Sequence, residues 1–247
     1  MTPWFGRRSR DETRTPASAA ASVPPPVEPA PGPPVPRAAP AEPRWIIVVP
    51  VKPSARGKSR LDVPGVDRAD LARAIALDTL AAATRCALVL QVVVVTDDSA
   101  LARHSADIPA LRFVPEGDAA GLDAAVAAGF AAVDATGRLP RAALLGDLPA
   151  LRPEDLAAAL RAAASVDRGV VSDTEGTGST LVTARAGVTW SSSFGEGSFA
   201  RHTTSGCVAL EIPDASTLRR DVDTAAQLDV ATSLGVGPRT AAILGLG

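Results

Sequence analysis

Three stretches of this chain are apolar at every position instead of at every second one. They are Trp45-Ile46-Ile47-Val48-Val49, Val92-Val93-Val94-Val95 and Ala142-Ala143-Leu144-Leu145. A strand alternates its side chains between two faces, so each run presents apolar groups both ways and must be covered on both sides. The segments between them supply the cover. Leu71, Ile75, Leu77 and Leu80 recur near a helical period and predict a helix over 67–85. An Ala-rich stretch predicts another over 122–135. Pro153 opens a third at its favoured first-turn position, running to about 165. Shorter strands are expected at 111–114 and 169–172. Strands without alternation, separated by helices, predict an α/β domain with a mostly parallel sheet flanked by helices. Beyond residue 173 the pattern changes. Leu181-Val182-Thr183 and Cys207-Val208-Ala209-Leu210 read as a small mixed or antiparallel addition, with helices at 223–234 and 238–244.

Residues 1–44 have a different character. They hold 12 of the chain's 22 prolines and six Arg against four Asp/Glu. Such a segment buries too little apolar surface to offset its ordering entropy and is expected to be a disordered or extended tail. The prolines also break any secretory apolar region. The folded domain is then 45–247. With 25 Lys+Arg against 27 Asp+Glu, the net charge of −2 lacks the footprint of a nucleic-acid binder. No apolar run reaches the ~18–20 residues that span a bilayer. Two cysteines, Cys86 and Cys207, are too few for a metal cluster or a disulfide framework, and a reducing, cytoplasmic setting is the simpler expectation.

In an open parallel sheet, ligands bind outside the carboxyl ends of the strands. Segments 50–60, 96–98, 115–123 and 146–149 follow such ends. The first carries Lys52, Arg56, Lys58 and Arg60, and the chain has no other lysine. That composition suits a polyphosphate; the alternative is a solvated basic loop. Gly57-Lys58-Ser59 looks like the end of a P-loop, but that motif needs Gly at position 52 and a helix directly after Ser59, where Asp62-Val63-Pro64-Gly65 stands. In Gly146-Asp147-Leu148-Pro149, Asp147 is placed to hold a hard cation such as Mg2+ through oxygen. Asp221 and Asp223 point to the same side if extended and would complete that set. Alternatively, Asp223 caps the helix that follows. Gly117-Asp118-Ala119-Ala120-Gly121-Leu122-Asp123 permits close approach of a base or ribose, or is simply a turn before a helix. Gly176-Thr177-Gly178-Ser179-Thr180 and the stretch from Phe194-Gly195-Glu196-Gly197-Ser198 to Arg201-His202 offer hydroxyls, amides and an Arg–His pair to a small anion, with flexible loops as the alternative. Neither histidine has partners suggesting a nucleophilic triad, and Ser198 has no G-x-S-x-G elbow.

Taken in order, these segments resemble the guanylyltransferase family of coenzyme F-420 biosynthesis. The carrying residues are Val49-Pro50-Val51-Lys52 with Lys58-Ser59-Arg60-Leu61, Val95-Thr96-Asp97, Gly121-Leu122-Asp123-Ala124-Ala125, Gly146-Asp147-Leu148-Pro149-Ala150-Leu151, the two Gly/Ser clusters, and Asp221-Val222-Asp223-Thr224. The family joins GTP to phosphoenolpyruvate or 2-phospho-L-lactate. The resemblance spans nearly all of 45–247 and implies a Rossmann-like nucleotidyltransferase fold using Mg2+. By that pattern Asp147, Asp221 and Asp223 hold metal. Ser179 or Thr180, with Gly195 and Ser198, contacts phosphoenolpyruvate. Pro50, Lys52, Lys58, Thr96, Gly121 and Asp123 lie against the nucleotide, and Lys52, Lys58 and Arg60 act on the transferring phosphates. The family usually has Gly-Leu-Asn where this chain has Asp123, and Thr where it has Ser179. The implied partners are GTP and phosphoenolpyruvate, with hand-over to a downstream transferase; neither nucleic acid nor membrane is implied. Phospholactate is the competing acceptor. A sugar-1-phosphate or molybdopterin nucleotidyltransferase would carry G-x-G-x-R after the first strand, which 50–60 lacks. A regulatory module would bind GTP and release no pyrophosphate.

Overall fold

The computed structural model describes residues 42–52, 61–118 and 120–246. Residues 1–41 of the expected tail, and the loop positions Arg56, Lys58 and Arg60, lie outside the described residues. In chain order the elements are β1 (Trp45–Pro50), α1 (Arg68–Arg85), β2 (Val89–Val95), α2 (Ser99–His104), β3 (Leu111–Val114), α3 (Leu122–Asp134), β4 (Arg141–Leu144) and α4 (Pro153–Ala163). Then come β5 (Arg168–Ser172), β6 (Ser179–Ala184), α5 (Ser198–Thr204), β7 (Val208–Ala209), a 3-10 turn at Thr217–Arg219, α6 (Ala225–Leu234) and α7 (Pro238–Ile243).

The seven strands form one sheet ordered β3-β2-β1-β4-β6-β5-β7. Only β6 opposes the rest: it is antiparallel to both β4 and β5, while β1, β2, β3 and β4 are mutually parallel and β5 is parallel to β7. Every residue of β1 is buried, as its unbroken apolar run requires. Its even-numbered residues Ile46 and Val48 pack with Val93, Val95 and the α3 residues Ala125, Val126 and Phe130. Its odd-numbered residues Ile47 and Val49 pack with Val92, Val94, Leu80 of α1 and Leu156 of α4. One strand therefore serves two cores, and helices cover both faces.

Local chemistry ends the helices. Asp67 caps α1 by accepting from the Asp70 N–H. Pro153 sits in the first turn of α4. Thr224, not Asp223, caps α6, and Gln227 reaches back to complete a capping box. The helix expected from 223 therefore begins at Ala225. Two short helices, α2 and α5, were not expected from the pattern. Each is under eight residues, too short to show a period, and α5 opens inside a Gly/Ser-rich stretch. Residues 42–44 are fixed to the domain: Glu42 pairs with Arg161 at 2.7 Å and the Arg44 guanidinium donates to the Val89 carbonyl at 2.8 Å. None of the described helices is long and apolar enough to cross a membrane.

Candidate functional site

The chain leaves β1 toward β2 on one side and returns to β4 on the other. The strand order thus reverses beside β1, and ligand crevices form at the carboxyl ends of strands at such a point. A cleft of about 720 Å3 opens there. Its floor includes Pro50, Val51 and Lys52 after β1, and Leu145, Gly146 and Asp147 after β4. The two chain segments run so close that a Cβ on Gly146 would stand 3.1 Å from Val51 Cγ2 and 3.2 Å from Val49 Cγ1. A side chain there would require the Val49 and Val51 side chains to give by a few tenths of an ångström.

One wall carries carboxylates. Asp147, Asp173, Asp221 and Asp223 all line the cleft. The Val222 N–H donates to the Asp147 carbonyl at 3.0 Å, which brings the 221–223 segment against the end of β4. The Thr174 hydroxyl donates to the Arg219 carbonyl at 2.8 Å, and Arg219 returns a bond to the Asp173 carbonyl at 3.1 Å. Gln227 joins the two segments again, accepting from the Asp223 N–H and donating to Glu175, each at 2.9 Å. Burial, and then the carboxylates of Asp147 and Asp173, push the Asp221 carboxyl up to about 8. Its Oδ1 is buried with no hydrogen-bond partner among the described residues. Asp173, Glu175 and Asp221 each bring a ligand oxygen within 4.8 Å of the other two. Crowded carboxylates with a buried, unsatisfied oxygen and a disfavoured negative charge fit a hard divalent cation.

The cleft also carries hydroxyls. Ser179 opens β6, and because β6 runs against its neighbours, its first residue lies at the same sheet edge as their last ones. Ser198 begins α5, and its Oγ lies 3.2 Å from Ser179 Oγ. The loop before α5 is held from two sides. The Asp123 carboxylate, on the first turn of α3, accepts from the Phe194 N–H at 3.1 and 3.2 Å. The Arg201 guanidinium donates to Ser193 Oγ and the Phe194 carbonyl at 3.0 Å each, and to the Glu196 carbonyl. Gly195, at φ +112°, takes a conformation L side chains rarely adopt and lets the loop turn along the cleft wall.

Of the expected site residues, Pro50, Lys52, Asp147, Ser179, Gly195, Ser198, Asp221 and Asp223 line this one cleft. Four others have different places. Thr180 is fully buried and absent from the cleft wall, so of the two neighbouring hydroxyl residues Ser179 is the one that lines it. Thr96 is buried off the wall, its hydroxyl accepting from the Asp98 N–H at 3.1 Å. Asp123 holds the Phe194 loop, and Gly121 precedes α3, whose Leu122 is the residue on the wall. Arg201 spends its donors on loop oxygens, and His202 is buried beneath the loop, so the expected Arg–His anion pair does not form. Asp173 was missed. It follows an apolar strand as Asp147 does, and that shared position was the available signal.

A mostly parallel sheet with a cleft at its switch point, lined by carboxylates and buried hydroxyls, defines a nucleotidyltransferase-type α/β domain. Solved structures share the fold. One from Desulfovibrio desulfuricans G20, described as a nucleotide-diphospho-sugar transferase, superimposes with a TM-score of 0.57 at 21% identity, over 81% of this chain and 94% of its own. The 4-diphosphocytidyl-2C-methyl-D-erythritol synthase of Anaerococcus prevotii gives 0.55 at 10% identity, over 78% and 96%. The family profile described as "Guanylyl transferase CofC like" matches residues 45–239, and this chain belongs to that family. A phosphoenolpyruvate guanylyltransferase from Thermomonospora curvata is 48% identical over 207 residues, covering 82% of this chain and 90% of its own.

Proposed function

We propose that this protein transfers GMP from GTP to phosphoenolpyruvate, giving enolpyruvoyl-2-diphospho-5'-guanosine and pyrophosphate. The 48% identity to a relative of that activity carries the proposal. The cleft supports it, gathering carboxylates and buried hydroxyls into one lining. The acceptor phosphate is ionised at neutral pH, so its oxygen needs no general base. That oxygen bonds to the α-phosphorus of GTP while the bond from this phosphorus to the β-bridging oxygen breaks, and the electron pair leaves with pyrophosphate. His202 suits the absence of a base, since both its ring nitrogens are engaged in hydrogen bonds.

Catalysis in this scheme is positioning and charge balance. Ser179, Ser198 and the main chain at Gly195 hold the acceptor. Pro50, Lys52 and the amino end of α3 receive the nucleotide. Lys52, with Lys58 and Arg60, offsets charge gathering on pyrophosphate. Asp147, Asp221 and Asp223, with Asp173 beside them, are the residues that would hold Mg2+, which when bound supplies neutralisation of phosphate charge. The product is a reactive anhydride, suited to hand-over to a transferase that consumes it in coenzyme F-420 biosynthesis.

Pyrophosphate release from GTP, measured with phosphoenolpyruvate, 2-phospho-L-lactate and 3-phosphoglycerate in turn, tests the proposal. Release is expected to be fastest with phosphoenolpyruvate and to need a divalent cation. Faster release with phospholactate would overturn the acceptor. Release with none of the three would overturn the activity.

A further inference from the structure

We propose that His202 is a positioning residue: it fixes the Ser179–Ser198 hydroxyl pair as a hydrogen-bond donor toward the cleft, which selects an oxyanion on the acceptor. The inference deepens the guanylyltransferase reading and rests on it for the acceptor's identity.

His202 lies on α5 and is fully buried. Its Nε2 stands 2.8 Å from the backbone nitrogen of Ser193. A backbone N–H can only donate, so Nε2 must keep its lone pair, and the neutral ring carries its proton on Nδ1. Nδ1 lies 3.0 Å from Ser179 Oγ and therefore donates to it. The two serine hydroxyls hold two protons. One is used in the 3.2 Å bond between them. The other cannot go to His202, whose Nδ1 already donates, and it meets no other acceptor among the described residues. Both serines are 2% exposed and both line the cleft. Whichever way the bond between them runs, one proton remains to be given to a group in the cleft. With the opposite tautomer, Nδ1 would accept that proton and the pair would offer only lone pairs. A carboxylate or phosphate oxygen fits the first arrangement and is repelled by the second.

The surroundings keep the ring neutral. Burial holds His202 below the ordinary imidazole range; Asp123 and the Ser198 carbonyl oppose this, and Arg201 reinforces it. Phe194 packs edge-on against the ring at 5.2 Å and helps fix its plane.

Two experiments test this. In the intact wild-type protein, nitrogen-15 NMR of labelled histidine reads the tautomer directly, with His104→Gln assigning the two signals. Nδ1–H with a bare Nε2 is expected; an Nε2–H tautomer or a doubly protonated ring at pH 7.5 would overturn the proposal. In kinetics, His202→Gln can keep an acceptor for the Ser193 N–H but removes the donor to Ser179, whereas His202→Asn can keep that donor. The Gln variant is expected to raise KM for phosphoenolpyruvate about tenfold or more. Its KM for GTP should stay within about twofold, and the Asn variant should fall between it and wild type. An unchanged acceptor KM in the Gln variant, or equal rises for both substrates, would overturn the role. A wild-type protein that releases no pyrophosphate would sink the guanylyltransferase reading while the NMR result still decides the tautomer.

Discussion

Asp221 shows how a side chain can be held against its own preference. Its carboxyl, pushed up to about 8 by burial and by Asp147 and Asp173, keeps its proton in the cation-free fold, whereas the unfolded chain releases it near pH 4. Between those values the folded state binds the extra proton, so stability is greatest at the acid end and falls as pH rises toward 8. Thermal melting of chelator-treated protein across pH 5 to 8 should show that decline, a few degrees in size. Asp221→Asn should flatten it, and Mg2+ should raise the melting temperature more at pH 8 than at pH 5. Ser179 has a simpler test. Ser179→Ala removes the hydroxyl that accepts from His202 and should raise the acceptor KM about tenfold with the GTP KM unchanged. Ser179→Thr retains the hydroxyl and should retain most of the activity. A matching rise in both KM values on removing the hydroxyl would argue against an acceptor-end role.

At the scale of elements, buried carboxylates act as pins between distant segments. Asp78, on α1, accepts from the Arg239 and Thr240 N–H groups at 3.2 and 2.7 Å and so holds the start of α7. Asp78→Ala leaves a buried N–H unsatisfied and should lower stability by about 1–3 kcal/mol in denaturant titrations, without moving either KM. Asp123 pins differently, because the segment it holds lines the cleft. Asp123→Ala should speed hydrogen exchange over 191–197 and raise the acceptor KM, with a smaller loss of stability. Such pins explain which elements could be read from sequence. β1, α1 and α4 announce themselves through apolar runs, periodicity and a first-turn proline. α2 carries a local cap, Asp98, but is too short to show a period, and α5 rests on His202 and Ser198 buried beneath the loop, which no local pattern records. The start of α6 was misplaced for a related reason: Asp223 and Thr224 are both capping types, and the Gln227 backbone N–H, which donates to Thr224 Oγ1, chooses between them.

The whole molecule gathers its cleft from segments far apart in the chain. That Asp147 and Lys52 would meet was legible, because both follow strands of a parallel sheet and the carboxyl edge is where such strands place ligands. The rule could not place Ser179. It begins a strand, and it reaches the same edge only because β6 is reversed, a fact settled by pairing with β4 and β5 and not by composition. Asp173 needs no reversal, since it follows β5, which runs parallel to β4. β5 and β6 are a hairpin, so the last residue of one and the first of the next are neighbours across a short turn. Asp173 ties that turn off by accepting from the Thr177 and Gly178 N–H groups at 2.9 and 2.6 Å.

Under the proposed function, the turn over 174–178 joins two roles: a carboxylate for the cation, Asp173, at one foot and a hydroxyl for the acceptor, Ser179, at the other. Pairing of Ser172 with Ser179 sets the spacing of the two feet. Inserting two residues there should disturb the Asp173 bonds to Thr177 and Gly178 while leaving the strands paired, and so raise the KM for phosphoenolpyruvate in steady-state kinetics.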